Sequence, residues 1–337
     1  MNASTRTGVT ARPYQLLCVV CAVGEGCAPP KNEGARLLLE AVRADPDVPV
    51  TIRSNVGGLF GYQDPGTAED TPEGADFNLK RDFDVLQRLD IVPGSVLPAR
   101  LLFTRLYDGI ASVRGICGYN TVTSEAWRGC PKAKSGFYEK GHAAGITNII
   151  PPRSSEQMAR EKVKSIEALR SASEINMRPH LLLCAICQYG DGTRPPFAED
   201  NLPEFLDMVF NQHSDIMITM VPGADWMMCA PCPWRSPALN ACVTGRNCSG
   251  GLYNHLKDLY VLQVLGLTYG TKMKAREFYE LALSKIPATA GVCALESSGL
   301  TPRSLWRDAC GGSKEAQQRY ASGRQLLLEK TKVTGRN

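Results

Sequence analysis

One cysteine-bearing line is written twice in this chain. "ARPYQLLCVVCAVGEG" spans Ala11 to Gly26 and "MRPHLLLCAICQYGDG" spans Met177 to Gly192; from Arg12 and Arg178 onward, seven of thirteen positions are identical at a constant offset of 166. A second echo follows in order. "DFDVLQRLDIVPG" from Asp82 matches "DLYVLQVLGLTYG" from Asp258 at an offset of 176, and Ala99-Arg100 and Cys117 then fall on Ala275-Arg276 and Cys293. Trp127 to Cys130 resembles Trp306 to Cys310 with slightly longer spacing. Two ordered echoes predict an internal duplication. A period this long implies two fused domains rather than a solenoid, whose repeats run about 20–50 residues. The expected boundaries are 10–150 for the first repeat, 151–175 for a charged helical connector, 176–325 for the second repeat and 326–337 for a basic tail.

A chain of 337 residues has room for two ordinary domains. With 43% hydrophobic and 21% charged residues it has the composition of a soluble globular protein. The net charge of +4 is too weak for a nucleic-acid partner, which needs a clustered basic face. No uninterrupted apolar run reaches the ~18 residues of a membrane helix. "MNASTRTGVTARP" lacks the apolar core of a signal peptide. The expectation is a cytoplasmic protein with no membrane and no nucleic-acid partner.

Apolar runs and their breaks predict α/β architecture. "YQLLCVVCAV" and "HLLLCAICQY" read as short buried strands closed by glycines. Helical spacing of Ala35, Leu38, Leu39 and Val42 marks a helix over Glu33–Ala44, and "VPVTIRSNV" reads as a second strand. The second half repeats the order, with Leu202, Phe205, Leu206 and Val209 on a helix after Asp200 and "DIMITMV" as a strand. Strand–helix–strand of this length implies a parallel βαβ unit. Further helices are expected over about 79–89, 98–110, 156–173, 252–265 and 272–286. The predicted fold is thus two tandem related α/β domains, each a small parallel βαβ-type sheet with helices and cysteine-bearing loops. Sites in such sheets lie outside the carboxyl ends of strands.

Thirteen cysteines then carry the chemistry. In a reducing cytosol clustered cysteines point to metal or redox work more than to disulfides. Cys27 has no counterpart and reads as a small hydrophobe. Four are common to both halves: Cys18, Cys21, Cys117 and Cys130, against Cys184, Cys187, Cys293 and Cys310. The second half adds "CAPCPWRSPALNACVTGRNC", with Cys229, Cys232, Cys242 and Cys248; the first half has the cysteine-free "VGGLFGYQDPGTAEDTPEGADF" in its place. Thiolates in C-x-x-C pairs, completed by distant cysteines, select zinc or iron–sulfur clusters. Zinc ribbons bring two C-x-x-C knuckles together, whereas here single cysteines follow at uneven spacing, which tilts the reading toward iron–sulfur. A catalytic dithiol fits less well, because "CVVC" and "CAIC" lie inside apolar runs.

"RPHLLLC" from Arg178, Asp225, "CAPCP" from Cys229 and Cys242 together resemble a family of small cysteine-rich proteins known as domain of unknown function 1284, whose members open Arg-Pro-His-His-Leu-Leu-Cys and carry Asp-Asp-Ile-Cys-x-x-Cys-Pro and a further Cys. The resemblance is strongest in the second half and faint in the first. It implies iron–sulfur binding with Cys184, Cys229, Cys232 and Cys242 as core ligands. Leu181 stands where the family has its second His, and "ADWMMC" replaces Asp-Asp-Ile-Cys. The repeat, in contrast, groups Cys184 with Cys187, Cys293 and Cys310.

His180 and Asp225 are the catalytic candidates. His180 lies four positions before Cys184 and could bond a cluster sulfur or move a proton, with a core histidine bonded to backbone as the bland alternative. Asp225 supports a ligand from behind or acts as a general acid by one reading, and caps a turn by the other. Arg12 and Arg178 are expected to pair with carboxylates. His142, His213 and His255 are scattered and read as surface residues. Trp127 and Trp306 read as packing lids. The expected function is an iron–sulfur, 4Fe-4S-type protein in electron transfer or oxidoreductase chemistry with a redox partner or small-molecule substrate. The alternatives are a structural zinc protein and a non-redox enzyme with an open cluster iron as Lewis acid.

Overall fold

The computed structural model describes residues 7–26, 30–54, 71–191, 200–212, 216–243, 251–293 and 314–334. Cys27, Cys248, Cys310, His213, Trp306 and most of the Gly-rich stretch from Val56 lie outside them. The chain divides into two compact units, 1–152 and 153–337. The helix expected to connect the halves belongs to the second unit. No helix among the described residues is long and apolar enough to cross a membrane.

The first unit is mixed α/β. β1 (Val9–Ala11) leads into α1 (Pro13–Glu25) and α2 (Glu33–Ala44), and β2 (Pro49–Ile52) returns parallel to β1 with Val9 beside Val50 and Ala11 beside Ile52. After α3 (Ala75–Leu89), β3 (Val96–Pro98) closes the sheet antiparallel to β2, and α4 (Ala99–Gly109) and α5 (Phe137–Ala143) complete the unit. Its core gathers Leu16, Val20, Leu38, Ile52, Leu86 and Phe103.

The second unit begins with α6 (Ser155–Ser171), capped by the Ser154 hydroxyl on the Gln157 N–H. β4 (Glu174–Met177), α7 (Pro179–Asp191), α8 (Leu202–Asp207) and β5 (Met217–Met220) then follow, with β4 and β5 parallel. A short helix α9 (Trp226–Cys229) and a hairpin of β6 (Arg235–Ser236) and β7 (Ala241–Cys242) come next. α10 (Leu252–Leu265), β8 (Lys272–Lys274) antiparallel to β5, α11 (Ala275–Lys285), α12 (Ala290–Cys293) and α13 (Lys314–Thr334) finish it.

The two cysteine-bearing lines, expected as strands, are helices α1 and α7, and the strands are the short segments just before them. Local signals explain α1: Pro13 is its first residue, with φ preset for a helix, and Gly26 ends it in a left-handed conformation (φ 74°), its N–H bonding the Ala22 and Val23 carbonyls. Leu16, Leu17, Val19, Val20 and Ala22 are all buried, so the helix is apolar nearly all round and shows no amphipathic period. Cys18 and Cys21 therefore do not stand at a strand's carboxyl end. They stand one turn apart on a helix face, as Cys184 and Cys187 do. The other expected elements form, with Glu33–Ala44 and Leu252–Leu265 at the expected limits; the stretches expected as helices over 98–110 and 272–286 each open with a short strand.

α1 and α5 cross with Gly24 against Gly141, and the Tyr138 hydroxyl bonds the Ile110 carbonyl (2.7 Å). In the second unit α7 and α13 cross with Gly190 against Gly323, and the Tyr320 hydroxyl bonds the Ile286 carbonyl (2.8 Å).

Candidate functional site

In the first unit the thiols of Cys18, Cys21, Cys117 and Cys130 gather in one place. α1 presents Cys18 and Cys21. The irregular segment after α4 presents the other two, tied together by the Cys130 N–H on the Cys117 carbonyl (2.8 Å). Gly129 makes that contact possible: its φ is +83°, and a Cβ there would lie 2.7 Å from the Cys117 carbonyl oxygen. Burial pushes the Cys18 thiol up to about 12 and Cys21 to about 11, and raises Cys117 further still. The thiols also feel one another. An ionised Cys130 raises Cys18, Cys21 and Cys117, Cys21 raises Cys18, and Cys18 raises Cys117. These four are thiols, not disulfides.

Among them lies Arg81, on the buried face of α3 and only 2% exposed. Its Nη2 donates to the Asn78 side-chain oxygen (2.6 Å), and its guanidinium lies 4.0 Å from the Tyr14 ring centroid and 4.9 Å from that of Phe77. Cys117 accepts a hydrogen bond from it, and its charge lowers both Cys117 and Cys18. Its Nε is buried and has no hydrogen-bond partner among the described residues. The next residue, Asp82, is fully occupied. Its Oδ2 takes the Arg12 Nε at 2.7 Å and its Oδ1 takes the Tyr14 backbone N–H at 3.0 Å. Burial raises Asp82 to about 6 against the opposing pull of Arg12. The expected carboxylate pairing of Arg12 is thus observed, and the carboxylate also holds the N-terminus of α1.

The second unit builds the same junction from Arg178, His180 and Asp258. Arg178 donates to Asp258 Oδ2 through Nε (2.8 Å) and Nη2 (2.6 Å), while Oδ1 takes the His180 backbone N–H (3.0 Å) and sits 2.6 Å from its Nδ1. Burial lowers His180 to about 4 despite the Asp258 charge. Burial would raise Asp258, but His180 and Arg178 hold it down at about 2. His180 is therefore a neutral, buried imidazole bonded to a carboxylate. Asn254 and Lys257 precede Asp258 on α10 as Asn78 and Arg81 precede Asp82 on α3, and the Lys257 ammonium lies 4.9 Å over the Tyr253 ring.

Cys229, Cys232 and Cys242 form a second thiol group. Cys229 ends α9, whose N-cap Asp225 accepts the Met227 N–H (2.8 Å); of its two readings, Asp225 takes the cap. The Cys232 N–H turns back to the Cys229 carbonyl (3.0 Å), and Cys242 lies on β7 opposite Arg235. Burial raises the Cys229 thiol well above its usual value, Cys232 and Cys242 add to the rise, and Arg178 opposes it. Asn254 Nδ2 stands 3.7 Å from the Cys242 Sγ. Arg153 Nη1 holds the turn through the Ala230 (2.8 Å) and Cys232 (2.6 Å) carbonyls. Cys187 and Cys293 both neighbour the Tyr320 hydroxyl, Cys184 neighbours Tyr279, and the Tyr253 hydroxyl donates to the Cys293 carbonyl. Cys229 thus has Cys232 and Cys242 beside it, while Cys187 and Cys293 share Tyr320 as a neighbour.

Among the described residues, no three His, Cys, Asp or Glu side chains already stand in metal-holding geometry. The thiol groups are neighbourhoods of the right donors rather than closed cages. His142, read as a surface residue, is half-buried, its Nε2 2.8 Å from the Tyr107 carbonyl and its ring stacked on Tyr107. Trp127 is half-buried with its ring edge toward Tyr119. The sequence reading missed Asn78, Arg81 and Tyr14 as neighbours of the thiols. The available signal was the pattern Asn-x-x-Arg/Lys-Asp, which begins four residues before the second echo and ends on its first residue in both halves.

No family model matches the chain, no curated protein matches it in sequence, and no solved structure matches it.

Proposed function

We propose that the chain is an iron–sulfur protein, with clusters of the 4Fe-4S kind, serving electron transfer or an oxidoreductase-type reaction in a reducing compartment. The carrying observation is the gathering of Cys18, Cys21, Cys117 and Cys130, from two ends of the first unit, around a buried guanidinium. Cysteines that served only as small hydrophobes would have no reason to meet in fours. The residues fit the group in kind: sulfur donors, a burying shell, and beside them a guanidinium whose Nε–H has no partner among the described residues. A bound cluster would supply one-electron redox chemistry. The protein's part is to exclude water and to surrender the thiol protons on loading, since burial keeps Cys18 and Cys21 protonated near neutrality without metal. The matched order of elements and the matched Arg–Asp junctions support a duplication. A redox protein or a small molecule is the partner this reading requires.

A zinc reading has its own support in the second unit. A C-x-x-C turn held by backbone bonds, followed by a two-stranded hairpin bearing Cys242, has the shape of a zinc knuckle.

Anaerobically prepared protein is expected to be brown, to contain iron and acid-labile sulfide, and to bleach with dithionite. Colourless protein with stoichiometric zinc, from iron-replete anaerobic cells, overturns the iron–sulfur reading.

A further inference from the structure

Arg81 is a buried charge with no hydrogen-bonded anion among the described residues. A guanidinium stays protonated in any protein, and burying it without an anion is costly. Arg81 is 2% exposed. The adjacent carboxylate of Asp82 is hydrogen-bonded to Arg12 and the Tyr14 N–H instead, and reaches Arg81 through its charge alone. Its hydrogen bonds go to a neutral amide and to the Cys117 thiol, and among the described residues its Nε–H has no acceptor. The rings of Tyr14 and Phe77 return part of the lost hydration through cation–π contact, but they bring no net charge. The groups that dominate its electrostatic surroundings are Cys117, Cys18, Tyr14 and Cys130. Beyond the carboxylates of Asp82 and Glu73, which make no hydrogen bond to it, thiolates are the anions this pocket can supply.

We infer that Arg81 is the resident counter-cation of an anionic metal–thiolate centre built on Cys18, Cys21, Cys117 and Cys130, with its partnerless Nε–H held ready for a sulfur. The inference rests on the metal-binding reading and adds to it a positioning residue that touches the ligands. Four thiolates around a dication, or around a cluster of equal charge, remain anionic. A buried cation beside them offsets that charge and favours the reduced, more negative state. The site is thereby tuned toward a higher potential than thiolates alone would give. In the second unit Lys257 stands at the matching helix position, so the cation recurs there without the planar fork.

The test uses the full chain, reconstituted anaerobically with ferrous iron and sulfide, as wild type, Arg81→Met, Arg81→Lys and Cys18→Ser. Cys18→Ser identifies which iron and which paramagnetic signal belong to the first unit. Arg81→Met is expected to lose that unit's cluster to a chelator about 10–100-fold faster and to move its midpoint to more negative potential. Arg81→Lys should recover part of both. Should Arg81→Met fail to fold, judged by far-ultraviolet circular dichroism of the metal-free chain, Arg81→Gln takes its place under the same criteria. Wild-type loading, release rate and midpoint in the charge-removing variant overturn the role of Arg81 and leave the metal reading standing. A wild-type chain that takes up neither iron and sulfide nor zinc overturns both.

Discussion

Gly24 and Gly141 face each other where α1 crosses α5: a Cβ on Gly24 would lie 1.8 Å from the Phe137 carbonyl oxygen, and one on Gly141 would lie 2.0 Å from that of Val20. Backbone, not a flexible side chain, blocks the space. Val20 sits between Cys18 and Cys21, so this crossing also sets where the α1 thiols point. Gly24→Ala or Gly141→Ala must push the helices apart, at a cost of about 1–3 kcal/mol for overpacking. The denaturant midpoint should fall with an unchanged slope, and the first unit should load less metal. Gly190 and Gly323 stand in the same relation, with a Gly190 Cβ 2.1 Å from the Arg319 oxygen, and the same substitutions there should act on the second unit. Wild-type midpoints in these variants would mean the crossing is looser than it looks.

The Arg–Asp junctions should be costly to break. Asp258 is fully buried and serves Arg178, His180 and the start of α7 at once. Asp258→Asn leaves a buried guanidinium without its anion, and removing one partner of such a pair costs about 3–5 kcal/mol. Asp82→Asn should cost less. Asp82 already resists ionisation until about pH 6, whereas Asp258 is held near 2, so less of the first junction's stability depends on the carboxylate's charge. Chemical unfolding of the two variants under metal-free conditions ranks them; an equal loss would contradict the difference drawn from their ionisation.

Acid should separate the two units. Burial raises Asp82 from 3.8 to about 6, so the folded first unit binds more protons than the unfolded chain between those values. Its contribution is fully present below the unfolded value and is lost as pH rises through about 6. His180 goes the other way. Burial lowers it from 6.5 to about 4, so the folded second unit binds fewer protons, and stability is lost as pH falls through that window. Asp258, held near 2, adds acid sensitivity only below its unfolded value of 3.8. Hydrogen-exchange protection of the metal-free chain, corrected for intrinsic chemistry, should therefore change in opposite senses in the two units between about pH 4 and about pH 6. Asp82→Asn should remove the first unit's response. Parallel changes in both units would count against these assignments.

Much of the helical frame was legible because its helices carry a clear period. Glu33–Ala44 turns one face of Ala35, Leu38, Leu39 and Val42 to the core, and that spacing is written in the sequence. The cysteine-bearing lines were misread because α1 buries residues on nearly every side and so has no period to read. Pro13 at its start and Gly26 past its end were the better guides. The strands escaped notice for the opposite reason: Val9–Ala11 and Glu174–Met177 are too short to display alternation. Of the thiol site, the partnership of Cys18 and Cys21 with Cys117 and Cys130 could be read from the repeat. Arg81 was marked only by the repeated Asn-x-x-Arg/Lys-Asp pattern, since a charged residue in a mostly polar turn of helix looks solvated until the fold buries it.

Each thiol group draws its described members from one compact unit, and this fixes how cysteine substitutions should combine. Cys18, Cys21, Cys117 and Cys130 all belong to the first unit; Cys229, Cys232 and Cys242 all belong to the second. If each group holds its own centre, Cys18→Ser removes one complement of iron and Cys229→Ser removes another. The double variant should then lose the sum, because sites that share no partner combine additively. Serine keeps the size of the thiol but is a poor ligand for a soft site, so loss of iron with a preserved far-ultraviolet spectrum reports ligation rather than misfolding. Cys229→Ser should also leave the midpoint potential of the first unit's signal where it was, and Cys18→Ser should do the same for the second. Iron counting, sulfide assay and electron paramagnetic resonance on the three variants decide it. A Cys18→Ser chain stripped of all iron would mean the cysteines of the two units serve one shared centre, and the assignment of one site to each unit would fall.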